Sequence, residues 1–178
     1  GETLAVIDSV KADFTIKSDG EVISDVKNAN VGTYTITPSG YTSTNYAITF
    51  VDGTLTITKA TPTFTITQTT INLIYNNGTT TNYIYNGDGD VTASNYDSQI
   101  VSVDINNSGK IITLKAQKVG STTITFTAAE GTNFKAATAT LTVVVSKATV
   151  TITKLDPVEK TYDGTTTAEP VQDTHYKV

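Results

Sequence analysis

The sequence predicts an all-β chain of tandem β-sandwich modules with essentially no helix, and three observations lead there. The first is a repeat at a fixed interval of 88 residues. Val31-Gly32-Thr33-Tyr34-Thr35-Ile36-Thr37 returns as Val119-Gly120-Ser121-Thr122-Thr123-Ile124-Thr125, Thr44-Asn45-Tyr46 as Thr132-Asn133-Phe134, and Lys59-Ala60-Thr61 as Lys147-Ala148-Thr149, without a gap. Repeats of this length mean similar modules in series. The second is composition. Thr supplies 38 of the 178 residues, and Val, Ile and Tyr are common, so the chain favours strands. The third is periodicity: no stretch of ten residues alternates at the helical period, while short stretches alternate plainly at period two.

The elements follow in order. Residues 1–59 carry the closing strands of a module, including 31–37 and 54–58, where Leu55 and Ile57 alternate with Thr54, Thr56 and Thr58. Lys59-Ala60-Thr61-Pro62 is a polar hinge, too short to be floppy. Residues 60–147 form a complete module, with strands near 62–67, 71–75, 81–85, 100–105, 110–117, 121–128 and 139–146. Turn signals separate them: Asn76-Asn77-Gly78, Asn86-Gly87-Asp88-Gly89, Asn106-Asn107-Ser108-Gly109, Val119-Gly120 and Glu130-Gly131. Seven short strands at this spacing suggest an Ig-like sandwich, without the Cys and Trp of antibody domains. Residues 148–178 open a further module with a strand in which Val150 and Ile152 alternate with Thr149, Thr151 and Thr153. The two flanks together come to about one repeat length. Two readings follow with equal weight: the flanks complement each other between molecules, as a strand-complemented dimer or a head-to-tail chain, or 1–59 folds as a small sandwich alone and the tail frays.

Composition excludes several functions. The chain has no Cys, so disulfides and thiolate chemistry are absent. Net charge is −5 and all twelve cations are Lys, which argues against nucleic acid and against an anionic membrane surface. No apolar run reaches membrane-spanning length, so direct membrane insertion is not expected.

Candidate chemistry is sparse. The single His, His175, offers no partner for a His-based metal site or a nucleophilic triad. Asn86, Asp88 and Asp90 place oxygen donors at alternate positions, and Asp97 follows, a pattern that suits Ca²⁺. Val91 stands where an EF-hand loop needs Gly, and a plain hairpin connection explains the same residues. Tyr75, Tyr83 and Tyr85 lie on neighbouring strands. Facing outward they would form a stacking platform for a glycan; facing inward they are core. No cofactor is implied. Tyr46 and Phe134 share one repeat position, which points to packing, and Asn45 and Asn133 are expected to cap turns. Gly32 and Gly120 precede strands where a missing Cβ eases a tight approach. Tyr162-Asp163-Gly164 is expected to form a tight turn with the ring packed on a sheet.

Two resemblances carry further expectations. Tyr85 to Ser94, Ile100-Val101-Ser102-Val103, and Leu114-Lys115-Ala116 through Ile124 resemble the bacterial Ig-like domain family. Val31 to Ile36, Asn45-Tyr46 and Gly53 to Ala60 resemble the closing half of an MBG module, and Lys160-Thr161-Tyr162-Asp163-Gly164-Thr165-Thr166 the opening of an MBG or YDG module. The resemblance implies an extracellular, repeat-built bacterial cell-surface protein of the adhesin type. Within it this chain would be a non-catalytic spacer whose partners are neighbouring repeats. The alternative is an adhesion module that itself binds host glycan or extracellular-matrix protein.

Overall fold

The computed structural model describes residues 9–154 together with 161–162, 164 and 176–177. These residues form strands and one short 3-10 turn at Val26–Asn28, with no α-helix. The all-β reading of the sequence therefore holds.

The first unit is a single four-stranded antiparallel sheet. Its strands are β1 (Ser9–Ser18), β2 (Glu21–Val22), β3 (Gly32–Thr42) and β4 (Gly53–Ile57), in the order β2-β1-β3-β4. Asp19 and Gly20 both have positive φ, which suits the two-residue turn between β1 and β2. Strand pairing puts Phe14 opposite Pro38, Ile16 opposite Ile36 and Tyr34 opposite Leu55. These residues share one face. Thr15 with Thr37, Thr33 with Thr56 and Thr35 with Thr54 share the other. The apolar face is incompletely covered: Ile16 and Tyr34 are buried, but Phe14 is 61% exposed.

The second unit is a closed sandwich. Its strands are β5 (Phe64–Ile66), β6 (Thr70–Ile74), β7 (Gly78–Tyr85), β8 (Val91–Ser94), β9 (Val101–Asn106), β10 (Ile111–Ala116), β11 (Gly120–Ala128) and β12 (Ala137–Ser146). One sheet has the order β5-β7-β10-β9 and the other β6-β12-β11-β8. All pairs are antiparallel except β6 with β12. The chain switches sheets between β5 and β6. If those two are the halves of a first strand A, the sheets read A-B-E-D and A′-G-F-C.

Alternation builds the core. Leu141, Val143 and Val145 point inward from β12, Ile124, Phe126 and Ala128 from β11, and Ile112, Leu114 and Ala116 from β10. Burial of each large side chain is worth roughly 1.5–3 kcal/mol. The intervening Thr residues face water and pair across strands, as Thr123 does with Thr142 through hydroxyls 3.2 Å apart. At Gly120 a Cβ would lie 2.8 Å from Ile100 Cδ1, so the end of that side chain would have to shift. At Gly32 a Cβ would make only ordinary contact with the Tyr34 ring.

Several sequence expectations shift. β1, β2 and β8 have no counterpart among the expected strands; in β8 four residues with two inward apolar groups, Val91 and Ala93, give too short an alternation. Lys147 to Ile152 form no strand and are exposed, although their alternation predicts one; a strand needs a neighbour to bond to, and β12 already has two. β13 (Thr153–Lys154) pairs antiparallel with β14 (Tyr176–Lys177). The Tyr162 ring is exposed instead of packed on a sheet. Asp163, His175 and most of the expected opening half-module lie outside the described residues.

Phe126 is fully buried at the centre of the sandwich. Phe126→Ala is expected to lower unfolding free energy by about 3–5 kcal/mol, read by denaturant titration.

Candidate functional site

The two units meet at a hydrogen-bonded joint made by three short segments: the Asn30–Val31 turn before β3, the Lys59–Thr63 hinge, and the Glu130–Asn133 loop between β11 and β12. The Asn133 side chain carries the crossing. Its Oδ1 accepts from the Val31 amide at 2.8 Å, and its Nδ2 donates to Asn30 Oδ1 at 2.9 Å. The Asn30 carbonyl accepts from the buried Tyr34 hydroxyl at 2.5 Å, which ties the joint into the first sheet. On the other side the Asn133 amide donates to Asp88 Oδ2 at 2.8 Å. An unbroken chain of bonds thus runs from β3 to the loop after β7.

The hinge is fixed to the same loop. The Ala60 amide donates to the Asn133 carbonyl at 3.0 Å, and the Lys135 amide donates to the Ala60 carbonyl at 2.9 Å. Lys59 Nζ reaches Glu130 Oε1 at 2.5 Å and the Gly131 carbonyl at 2.8 Å. That ion pair is exposed and contributes at most about 1 kcal/mol. Three residues on, the Thr63 amide donates to Asn86 Oδ1 at 2.7 Å and the Asn86 amide donates back to the Thr63 carbonyl at 3.3 Å.

This geometry explains the Asn86–Asp90 string. Gly87 lets the loop fold over the Tyr85 ring, where a Cβ would overlap the ring atoms. The Gly89 amide donates to the Tyr85 hydroxyl at 3.1 Å. The Asp88 carboxylate seats against Gly131, where a Cβ would overlap it. Asn86 and Asp88 are thus engaged by the hinge and the Asn133 loop. Asp97 stands elsewhere, accepting from the Gln99 amide at 2.8 Å in the turn before β9. Among the described residues no three His, Cys, Asp or Glu side chains converge in a metal-holding group.

The tyrosines divide as well. Tyr83 and Tyr85 are buried and meet Phe64 edge-on, with ring centroids 5.9 and 5.5 Å apart. Tyr75 is half-exposed at the turn after β6. The three rings do not share a surface, because the face of β7 that carries Tyr83 and Tyr85 is the core face.

Two residues matter more than their sequence context suggests. Asn133 does not cap its own turn; it reaches into the preceding unit. Asn107 joins the two sheets: its Oδ1 accepts from the Tyr83 hydroxyl and the Val91 amide, both at 2.9 Å, and its Nδ2 donates to the Val91 carbonyl at 3.3 Å. Both sit in turn-forming strings, where an Asn looks the same whether it bonds locally or far away. The recurrence of Asn at 45 and 133 was the available signal. Burial pushes the Tyr83 hydroxyl above its ordinary pKa of 10.0, and the charges of Asp90 and Tyr85 push the same way.

Residues 7–56 match the MBG domain (YGX type). That match covers the first sheet and stops before the hinge. No curated protein matches the chain. Among solved structures, domains 4 and 5 of the S-layer protein SbsC are 20% identical, with 75% of this chain and 70% of that one covered and a TM-score of 0.41. Domains 4–9 of the surface layer protein SbsC are 18% identical, with 89% of this chain covered and a TM-score of 0.45; this chain spans 26% of that one.

Gly131→Ala is expected to destabilise the protein by about 1–3 kcal/mol through the clash with Asp88, and the penalty should shrink in an Asp88→Ala background, as a double-mutant cycle would show. The folded state holds the Tyr83 proton more tightly than the unfolded chain does. That stabilisation is full below about pH 10 and is lost as pH rises through the folded-state value. Denaturant midpoints should therefore fall more steeply above pH 10 in the wild type than in Tyr83→Phe.

Proposed function

We propose that this chain is a non-catalytic structural segment of a bacterial cell-surface protein, and that it holds successive β modules at a fixed spacing and angle. The observation that carries the proposal is the Asn133 joint. Its bonds are directional, and they grip both the turn before β3 and the hinge, so the relative orientation of the two units is set by geometry and not by an apolar contact that could slide. Each such bond contributes about 0.5–1.5 kcal/mol, enough together to favour one orientation.

Three further features support the reading. The strand order A-B-E-D and A′-G-F-C supports an Ig-like reading of the sandwich, an architecture widely used for serial modules. The match of residues 7–56 to the MBG domain agrees with the bacterial surface modules that the sequence resembles. The outward Thr rows on β11 and β12 give a polar face suited to solvent instead of a ligand. Adhesion to a glycan through a Tyr75–Tyr83–Tyr85 platform finds no support in the burial of two of those rings.

The test uses the absence of native cysteine. Spin labels at Asp19→Cys and Ser108→Cys, one in each unit, should give a single narrow distance distribution by double electron–electron resonance. Asn133→Ala should broaden it while leaving both units folded. A broad distribution in the otherwise wild-type protein would refute a fixed spacing.

A further inference from the structure

The joint is built once in this chain, and the 88-residue repeat supplies several of its parts a second time, although Lys118 stands for Asn30, Ser43 for Gly131, and Asp88 has no counterpart. Asn45 and Tyr46 correspond to Asn133 and Phe134, Lys147 and Ala148 to Lys59 and Ala60, Ile152 to Phe64, and Val119 to Val31. The receiving loop at 43–46 belongs to the first unit, and the plugging hinge at 147–148 follows the second. They lie at opposite ends of the described chain order, on different units.

Exposure shows which copies of these parts are in use. Phe64 follows the built hinge and is 8% exposed against Tyr83 and Tyr85. Its counterpart Ile152 is 67% exposed, and Val150 beside it 61%. Val31 is half-buried at the built joint, whereas Val119 is 42% exposed. On the receiving side, the sheet face carrying Phe14, Ile16, Tyr34 and Leu55 is partly open, and β4 stands at the sheet edge. In the second unit the counterpart of β4 is β12, which has β6 along its outer edge and β5 lying against it.

We propose that a second copy of this chain docks head to tail on the first unit, with Lys147–Ile152 and Val119 of the incoming copy taking the places that Lys59–Phe64 and Val31 take at the built joint. Ala148 would exchange main-chain hydrogen bonds with Asn45 and Ala47, as Ala60 does with Asn133 and Lys135. Asn45 Oδ1 would accept from the Val119 amide, as Asn133 accepts from Val31. Val150 and Ile152 would cover the open apolar face. Thr42 stands where Glu130 would be, so Lys147 gains no ion pair there, a small loss at an exposed site. The contact joins two different surfaces, so it is heterologous and grows as an open chain instead of closing into a dimer. The inference extends the built joint from within one chain to between chains.

Sedimentation velocity on the full chain over a wide concentration range tests it. The expected result is concentration-dependent growth past the dimer. Ile152→Asp and, separately, Val119→Asp alter exposed side chains and should each weaken association by about tenfold or more. A copy blocked at its head by Phe14→Asp, mixed with one blocked at its tail by Ile152→Asp, should form a 1:1 dimer and nothing larger, with circular dichroism confirming that both variants fold. Sedimentation as a monomer at every concentration would overturn the inference, as would a closed dimer indifferent to these substitutions. Either result leaves the joint within the chain intact, because spin-label distances read in doubly labelled protein diluted into an excess of unlabelled protein report on that joint alone.

Discussion

The requirement that polar groups at a partly buried junction be paired governs this structure. An amide or carbonyl taken from water without a partner costs about 1–3 kcal/mol. The turn before β3 presents the Val31 amide and the Asn30 side chain to the next unit, and Asn133 answers both at once. That side chain can do so only because its own backbone is held by Asp88 and by Ala60 of the hinge. Asp88 in turn can sit there only because residue 131 is Gly. The orientation of one unit on the next is therefore tied to four short segments whose residues look unremarkable one by one.

The division of labour between apolar and polar contacts follows. Inside the second unit, alternation along β7, β10, β11 and β12 buries a continuous core, and Asn107 ties the two sheets together at one end. Between the units, hydrogen bonds take over. Apolar burial is strong but non-directional, whereas a bond from an amide to a fixed carboxylate or carboxamide oxygen specifies direction as well as distance. Thr serves both parts: it has a strong preference for strands, and its hydroxyl wets the outer face of each sheet.

Much of the fold was legible in the sequence because period-two alternation is a direct image of which face a residue takes. Leu141, Val143 and Val145, and Ile124 with Phe126, are core for that reason. β1 carries the same sign at Phe14 and Ile16, flanked by Asp13, Thr15 and Lys17, but β8 is too short to show it. The segment at 59–62 stands out in the sequence by its polarity and its recurrence. The joint does not. A Gly-Asp-Gly-Asp string fits a hairpin turn, a cation loop or a docking loop equally well, and only the approach of Gly131 and Asn133 to Asp88 separates them. Nor does sequence say which face of β7 is inward until β5 and β10 are placed beside it. The exposure of Val150 and Ile152 shows the converse limit: a pattern proper to a strand leaves no strand where no neighbour is present to pair with it.

The central claim is that the first sheet and the sandwich behave as one oriented body through Asn133. Residual dipolar couplings of backbone amides in weakly aligned solution measure this most directly. A single alignment tensor should fit the amides of 13–57 and of 64–146 together, with the relative orientation of the two units as described above. Two tensors of clearly different magnitude would mean that the units reorient independently, and would contradict a joint that sets their angle.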